Sequence, residues 1–360
     1  MVALFVTACI GARISGPGKF NTDYLSKQCT TAVNGIFVVL VVFSHYSQYA
    51  GFDSAIDMPY LALRAHLGQM AVAPFLFYSG YGMMESIKRK GSAYVNKVPS
   101  KFWKLLLRMW IAILLYLALA FVLGIEYPTK DILLAFTLWT AVGNSNWYIF
   151  AVLGLYILIY ISFSVSRDYS TRRGRVSAIA ILTALSVLFV FVLMKAGRPT
   201  YCYNTIIIMP LGFIYSEFRE DIERLIMRSE PAYLLTLLCV LAIYIISYKN
   251  RYDYGIEVYT VWAAAFTSLF VLITVKLRIC NKVLDWFGTH IFPVYILQRL
   301  PMIFLDHFGL IEHHKYICLI VVFVITLPLA VIFDKLTGAL ILGIENAVGK
   351  RKKESAGSAR

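Results

Sequence analysis

Residues 34–49 read NGIFVVLVVFSHYSQY. The apolar run 32–49 around them is close to the roughly 17–20 residues an α-helix needs to cross about 30 Å of hydrocarbon. Within it His45 is the only basic or acidic side chain. An imidazole in a spanning helix is costly unless it faces a bundle interior or an aqueous cavity, which makes His45 a functional candidate by default. An interfacial histidine held by a hydrogen bond is the competing reading. Asn34 lies eleven residues earlier. At about 100° per residue the two share a helix face, roughly 16 Å apart.

Comparable runs follow at 67–84, 105–124, 147–166, 176–195, 201–216, 231–248, 256–275, 286–305 and 316–334. The whole chain is 59% apolar and 15% charged, with a mean hydropathy of +0.70. Soluble domains hold about 45–50% apolar and about 25% charged residues. The expected fold is therefore all-α, a polytopic membrane helical bundle of about ten transmembrane helices. A further run, 131–143, is too short for a confident span.

The net charge of +14 would suit nucleic-acid binding on a soluble surface, but Lys and Arg fall in short clusters between the apolar runs. With 131–143 not crossing, 25 lie in segments on the side of both termini and 7 on the other, while Arg299 and Lys335 lie within or beside spans. This bias follows the positive-inside rule and places both termini in the cytoplasm. A crossing at 131–143 would invert every later cluster, so that stretch reads as re-entrant or interfacial. The expected organisation is a cytoplasmic segment over 1–28, a membrane domain over 29–340 and a basic cytoplasmic tail over 341–360, disordered after Lys350. The start, Val2–Ala12, is apolar without a basic leader. Val6-Thr7-Ala8-Cys9 resembles a lipoprotein box, and an incidental extension is the plainer reading. The six cysteines show no paired or metal-ligand spacing, so neither a disulfide framework nor a metal site is expected.

The run ending at His45 resembles the first helix of the integral-membrane acyltransferase 3 family, in which a basic residue, ten residues and an essential histidine succeed one another. Here His45 takes the histidine position and Asn34 the basic one. Ala73–Ser86, APFLFYSGYGMMES, is similar to the family's aromatic helix ending in Ser-Gly-Tyr, matched by Ser79, Gly80 and Tyr81. Trp286–Pro301, WFGTHIFPVYILQRLP, resembles its later motif, with Tyr295 kept and Gln298 in place of a histidine. Asn146-Trp147-Tyr148 stands where the family opens a helix with an aromatic pair. The four motifs fall in the family's order, and the resemblance extends over about residues 20–340.

The resemblance implies a bacterial cytoplasmic-membrane acyltransferase. It would move an acetyl or other short acyl group from cytoplasmic acyl-CoA to a hydroxyl of an envelope glycan or lipid-linked sugar. His45 would be the catalytic base, since a neutral imidazole near pKa 6.5 suits that task. Asn34, Ser79, Tyr81, Trp147, Tyr295, Gln298 and Arg299 are its candidate substrate neighbours. Lys101, Lys104 and Arg108, with Lys88, Arg89, Lys90 and Lys97, form the densest basic cluster and are candidates for the donor's phosphates. Topology or lipid headgroups explain the same cluster. Gly80 and Gly82 serve equally well as helix-packing residues. Trp147 and Tyr148 suit an aromatic belt, Arg299 can snorkel, and Glu85 can pair with Lys88. His290 is left without a role, and His66, His307, His313 and His314 fall in or near loops. The rival function is a transporter, against which no acidic ion site inside two spans and no repeated broken helices are visible. A catalytically silent relative is the third.

Overall fold

The computed structural model describes residues 2–166, 168–279 and 281–357. Arg167, Cys280 and the last three residues of the expected tail lie outside them. In chain order the helices are α1 (Val2–Cys9), α2 (Lys27–Tyr46), α3 (Met58–Leu67), α4 (Ala73–Lys90), α5 (Ser92–Val95), α6 (Val98–Leu123), α7 (Thr129–Ala135), α8 (Trp147–Ser166) and α9 (Arg172–Lys195). They continue as α10 (Ile208–Glu217), α11 (Arg219–Ile226), α12 (Glu230–Asn250), α13 (Ile256–Lys276), α14 (Lys282–Thr289), α15 (Ile291–Leu297), α16 (Arg299–His307) and α17 (Leu310–Gly357). Among the described residues the only sheet is a two-residue bridge, β1 (Arg13–Ile14) antiparallel to β2 (Leu277–Arg278). The fold is an all-α polytopic bundle.

Seven helical stretches are long and apolar enough to cross a membrane. They include α2, α8, α9, α12, α13, the stretch Ser92–Leu123 and the stretch Leu310–Val348. The other expected spans are helical too, but shorter, charged at one end or broken. α4 ends in Lys88-Arg89-Lys90, and α10 follows a 3-10 turn at Thr200–Cys202. The run 286–305 is divided among α14, α15 and α16. A break inside a membrane bundle is tolerated where side chains take up the freed backbone groups. Tyr116 does so here, donating its hydroxyl to the Ile296 carbonyl at 2.6 Å. The run 131–143 begins in the seven-residue α7 and then leaves the helix, with Leu138 at φ 63°. Seven residues rise about 10 Å, too little to cross.

The chain forms two compact units, residues 1–102 with 146–289, and residues 103–145 with 290–360. In the first unit two helix pairs meet backbone to backbone through reciprocal glycines. A Cβ on Gly35 of α2 would lie 2.8 Å from the Leu284 carbonyl carbon of α14, and one on Gly288 of α14 would lie 2.7 Å from that of Thr31. Gly80 of α4 and Gly212 of α10 repeat the arrangement against Met209 and Phe77. Small residues admit this approach in membranes, where dispersion and Cα–H···O contacts replace hydrophobic drive. The structure thereby assigns Gly80 to packing. Gly82 faces open space.

The first residues are hydrogen-bonded into the first unit. Ser15 N–H donates to the Lys276 carbonyl at 2.8 Å, Asn21 N–H to that of Val275 at 2.7 Å, and the Asn281 amide to that of Thr7 at 2.9 Å. Lys276 in turn pairs with Glu230 at 2.5 Å and donates to the Lys19 carbonyl. At the other end α17 runs on to Gly357, through Arg351, Lys352, Lys353 and Glu354, which are good helix formers.

Candidate functional site

Ser26 caps α2, its hydroxyl accepting from the Cys29 N–H at 3.3 Å. The helix then runs with two thirds of its apolar window buried, more than any other span. His45 falls in its last turn and is buried. Around this end Phe43, Tyr46, Phe52 and Tyr60 pack ring to ring, and the Tyr60 hydroxyl donates to the Phe43 carbonyl at 2.8 Å. That carbonyl also accepts from the Ser47 N–H at 3.0 Å, so the tyrosine adds a second donor where the helix ends. Asn34 shares the helix, and its Oδ1 is buried with no hydrogen-bond partner. A lone buried amide oxygen beside the Gly35 contact is the kind of polar atom that a ligand or water completes.

α4 runs back along α2. Tyr60 meets Phe43, Phe75 meets Phe37, and Tyr81 lies with Tyr215, which hydrogen-bonds Tyr24 ahead of α2 at 2.7 Å. Tyr81 therefore stands at the opposite end of α2 from His45, on the order of 25 Å away along a helix of this length. The expectation that both touch one substrate centre is corrected on that ground. The Tyr81 hydroxyl accepts from Arg219 at 2.9 Å, and Arg219 also binds Glu223 at 2.6 Å and the Thr22 carbonyl at 3.2 Å. Burial works against the Arg219 charge, but Glu223, Tyr81 and Tyr24 together outweigh it and hold the guanidinium above the usual arginine range. Burial, Tyr215 and Glu223 together push the Tyr24 phenol up. Nearby, Glu85 accepts from Ser216 at 2.7 Å and from Lys88 at 2.9 Å. This is a closed polar network tying α4, α10 and α11. Ser79, in contrast, is exposed, on a different face of α4 from Tyr81.

Trp147 opens α8 with its ring edge-on to Tyr148 and to Tyr201, at 6.0 and 5.9 Å. Tyr148 packs against Phe75 at 6.2 Å. Lys101 donates to the Tyr94 hydroxyl and lies over its ring at 4.2 Å.

The remaining candidates belong to the second unit. Tyr295 and Gln298 are buried together, the Gln298 amide donating to the Tyr295 carbonyl at 3.0 Å and the Tyr295 and Ser145 hydroxyls meeting at 3.2 Å. Arg299 begins α16, half-buried. Lys104 pairs with Glu345 at 2.7 Å. Arg108 pairs with Asp334, donates to the Thr337 hydroxyl at 3.0 Å and faces the Phe292 ring. Two of the three cations expected at the donor are thus committed to carboxylates. Arg89, Lys90 and Lys97, all exposed, make no ion pair among the described residues.

Sequence reasoning passed over Asp334, which meets Arg108 and lies 3.8 Å from His290 Nε2, and Glu217, which is bound bidentately by Arg175 at 2.8 and 2.9 Å. An acid at the edge of an apolar run was the available signal for each, since such groups are paired when they occur at all.

Against known proteins, a family model described as an acyltransferase domain, that of acyltransferase 3, matches residues 32–335. The matched range takes in α2 with His45 and every later candidate. No curated protein and no solved structure matches the chain.

Proposed function

The chain belongs to the acyltransferase 3 family and is an integral membrane acyltransferase. We propose that it moves an acetyl or other short acyl group from cytoplasmic acyl-CoA to a hydroxyl of an envelope carbohydrate, free or lipid-linked, at a bacterial plasma membrane with both termini inside. The observation that carries this reading is His45, buried in the last turn of the most buried spanning helix and within the matched range.

In this reading the neutral His45 imidazole takes the acceptor's hydroxyl proton as its oxygen attacks the thioester carbonyl. The C–S bond breaks, and the imidazolium returns the proton to the departing thiolate. Imidazole is the side chain suited to accept a proton and return it in one cycle near neutral pH. Asn34, on the same helix with an open amide oxygen, suits the approach of the donor along α2. Arg89, Lys90 and Lys97 are the cations free to meet its phosphates, with Lys101 beside them.

Purified protein in lipid nanodiscs, given acetyl-CoA and a panel of envelope sugars, tests the reading. Release of CoA with an O-acetylated product supports it. Losing a general base costs about 100- to 10,000-fold in rate, so His45→Ala and His45→Gln should lose turnover to that degree while still binding acetyl-CoA. Near-normal transfer by an inserted His45→Ala protein refutes the mechanism, and sugar flux without acyl consumption favours the transporter.

A further inference from the structure

In the first unit a cleft of about 400 Å³ lies between α3 and the turn joining α12 to α13, lined by Arg64, Arg251, Tyr252, Tyr259 and Trp262 among others. That is within the roughly 300–1,000 Å³ of small-molecule sites, which combine aromatic walls with a few fixed polar groups. Its charge is one-sided. Neither Arg64 nor Arg251 makes an ion pair among the described residues, and no acidic residue lines the cleft.

Arg251 is held in place rather than waving in solvent. Its guanidinium carbon lies 3.8 Å from the Tyr248 ring centroid, 4.4 Å from Tyr252 and 5.4 Å from Trp262, and it donates to the Tyr248 carbonyl. Its Nε is buried without a hydrogen-bond partner. Stacking pre-organises the planar donor fork, which matches an oxyanion in two-point geometry. The Tyr259 hydroxyl is fixed by donation to Gln69 Oε1 at 3.1 Å, which leaves its oxygen able to accept. Gln69 is itself held by the Asn204 amide at 2.6 Å.

The cleft also has an address. Arg64 borders, besides this cleft, a small void shared with Leu40, Ser44 and Tyr60. Ser44 is the residue before His45, so the cleft opens at the His45 end of α2.

We infer that this cleft is the acceptor's docking subsite and takes a carbohydrate that carries an oxyanion, phosphate or carboxylate. Arg64 and Arg251 hold the oxyanion while the sugar lies against Tyr252 and offers a hydroxyl to Tyr259. The inference rests on the reading of the acceptor as a carbohydrate and narrows it to charged ones.

The full chain in phosphatidylcholine nanodiscs, probed by saturation-transfer NMR with glucose 1-phosphate, glucuronate and glucose, provides the test. Ring protons of the two charged sugars should receive saturation and those of glucose should not. Inorganic phosphate should compete more weakly than glucose 1-phosphate. Guanidinium–oxyanion pairs are among the strong hydrogen bonds, so Arg64→Gln with Arg251→Gln should weaken binding by about tenfold or more. Arg251→Lys, which keeps the charge but not the fork, and Arg64→Gln alone should fall between if the double variant fails to fold. Equal saturation of glucose, phosphate competing as well as the sugar phosphate, or unchanged binding by the folded variants overturns the inference. Acetyl-CoA turnover is read separately in the same discs. Its absence would sink the acyl-transfer reading and leave the binding result to stand or fall alone.

Discussion

Replacing Gly35 by alanine puts a methyl group inside the backbone of α14, 2.8 Å from the Leu284 carbonyl carbon and closer still to its oxygen. Neither partner is a flexible side-chain end, so the helices themselves must part by about 1.5 Å to restore an ordinary C···O contact of about 3.3–3.6 Å to that oxygen. Overpacking of this kind costs about 1–3 kcal/mol, and backbone against backbone belongs at the upper end. Alanine returns up to about 1 kcal/mol of helix propensity, leaving a net loss near 2 kcal/mol. The larger effect is on turnover. His45 rides the same helix, and a 1 Å misplacement of a reacting group costs about 100-fold. Thermal unfolding and acetyl-CoA turnover in nanodiscs measure the two, with Gly82→Ala as the control, since Gly82 meets nothing within 4 Å. The control should be neutral or slightly stabilised. A Gly35→Ala protein as stable and as active as Gly82→Ala would refute the view that the α2–α14 contact seats the histidine.

Arg175→Ala should destabilise the protein by about 3–5 kcal/mol, because the Glu217 side chain is only 1% exposed and would be left charged without a partner. Glu217→Gln, which removes that charge, should cost clearly less in the same melt, and equal losses would contradict the argument. Neutralising Arg89, Lys90 and Lys97 together should weaken acyl-CoA binding and its salt dependence, whereas Lys104→Gln should not. The opposite ranking would return the donor site to the far part of the cluster. Reporters fused after residues 90, 170 and 280 should be cytoplasmic and one near 310 external. An external signal at 170 would mean that 131–143 crosses after all. Asp168 is fully exposed and accepts from the Thr171 and Ser170 hydroxyls, which hold its carboxyl down to about 2. Its folded pKa lies below the unfolded value near 3.9, so its support for the start of α9 is complete above about pH 4 and lost between there and about pH 2. Amide exchange over 168–174 should quicken only in that interval, and Asp168→Asn should abolish the step.

Hydropathy made the bundle legible because a spanning helix announces itself by length and composition alone. α12 shows why, with only 11% of its apolar window buried inside the protein and the rest facing outward. The interruptions at His290 and Gln298 carry a local sign that the hydropathy reading passed over, since Pro293 and Pro301 each stand in the first turn of the helix that follows and supply no N–H to the turn before, while the partner of the second break, Tyr116, comes from a distant helix. His45 stood out as a lone charge-bearing group in an apolar run. Tyr81 belongs to a different family motif from His45, and only the antiparallel course of α4 against α2 shows that the two lie at opposite ends of α2. The partners of Lys104 and Arg108, Glu345 and Asp334, lie more than two hundred residues downstream, and no local spacing rule reaches that far.

The stitching of residues 13–21 to the end of α13 also sets an order of events. Lys276 and its neighbours leave the ribosome some 260 residues after the segment they fasten. At about 5–20 residues per second that is a wait of about 13–50 s. Throughout it the apolar Val2–Cys9 stretch lacks α14, one of the two helices it packs on, and has only α2. The capture of this N-terminal region by β2 and Asn281 would then mark the late closing of the first unit around α2.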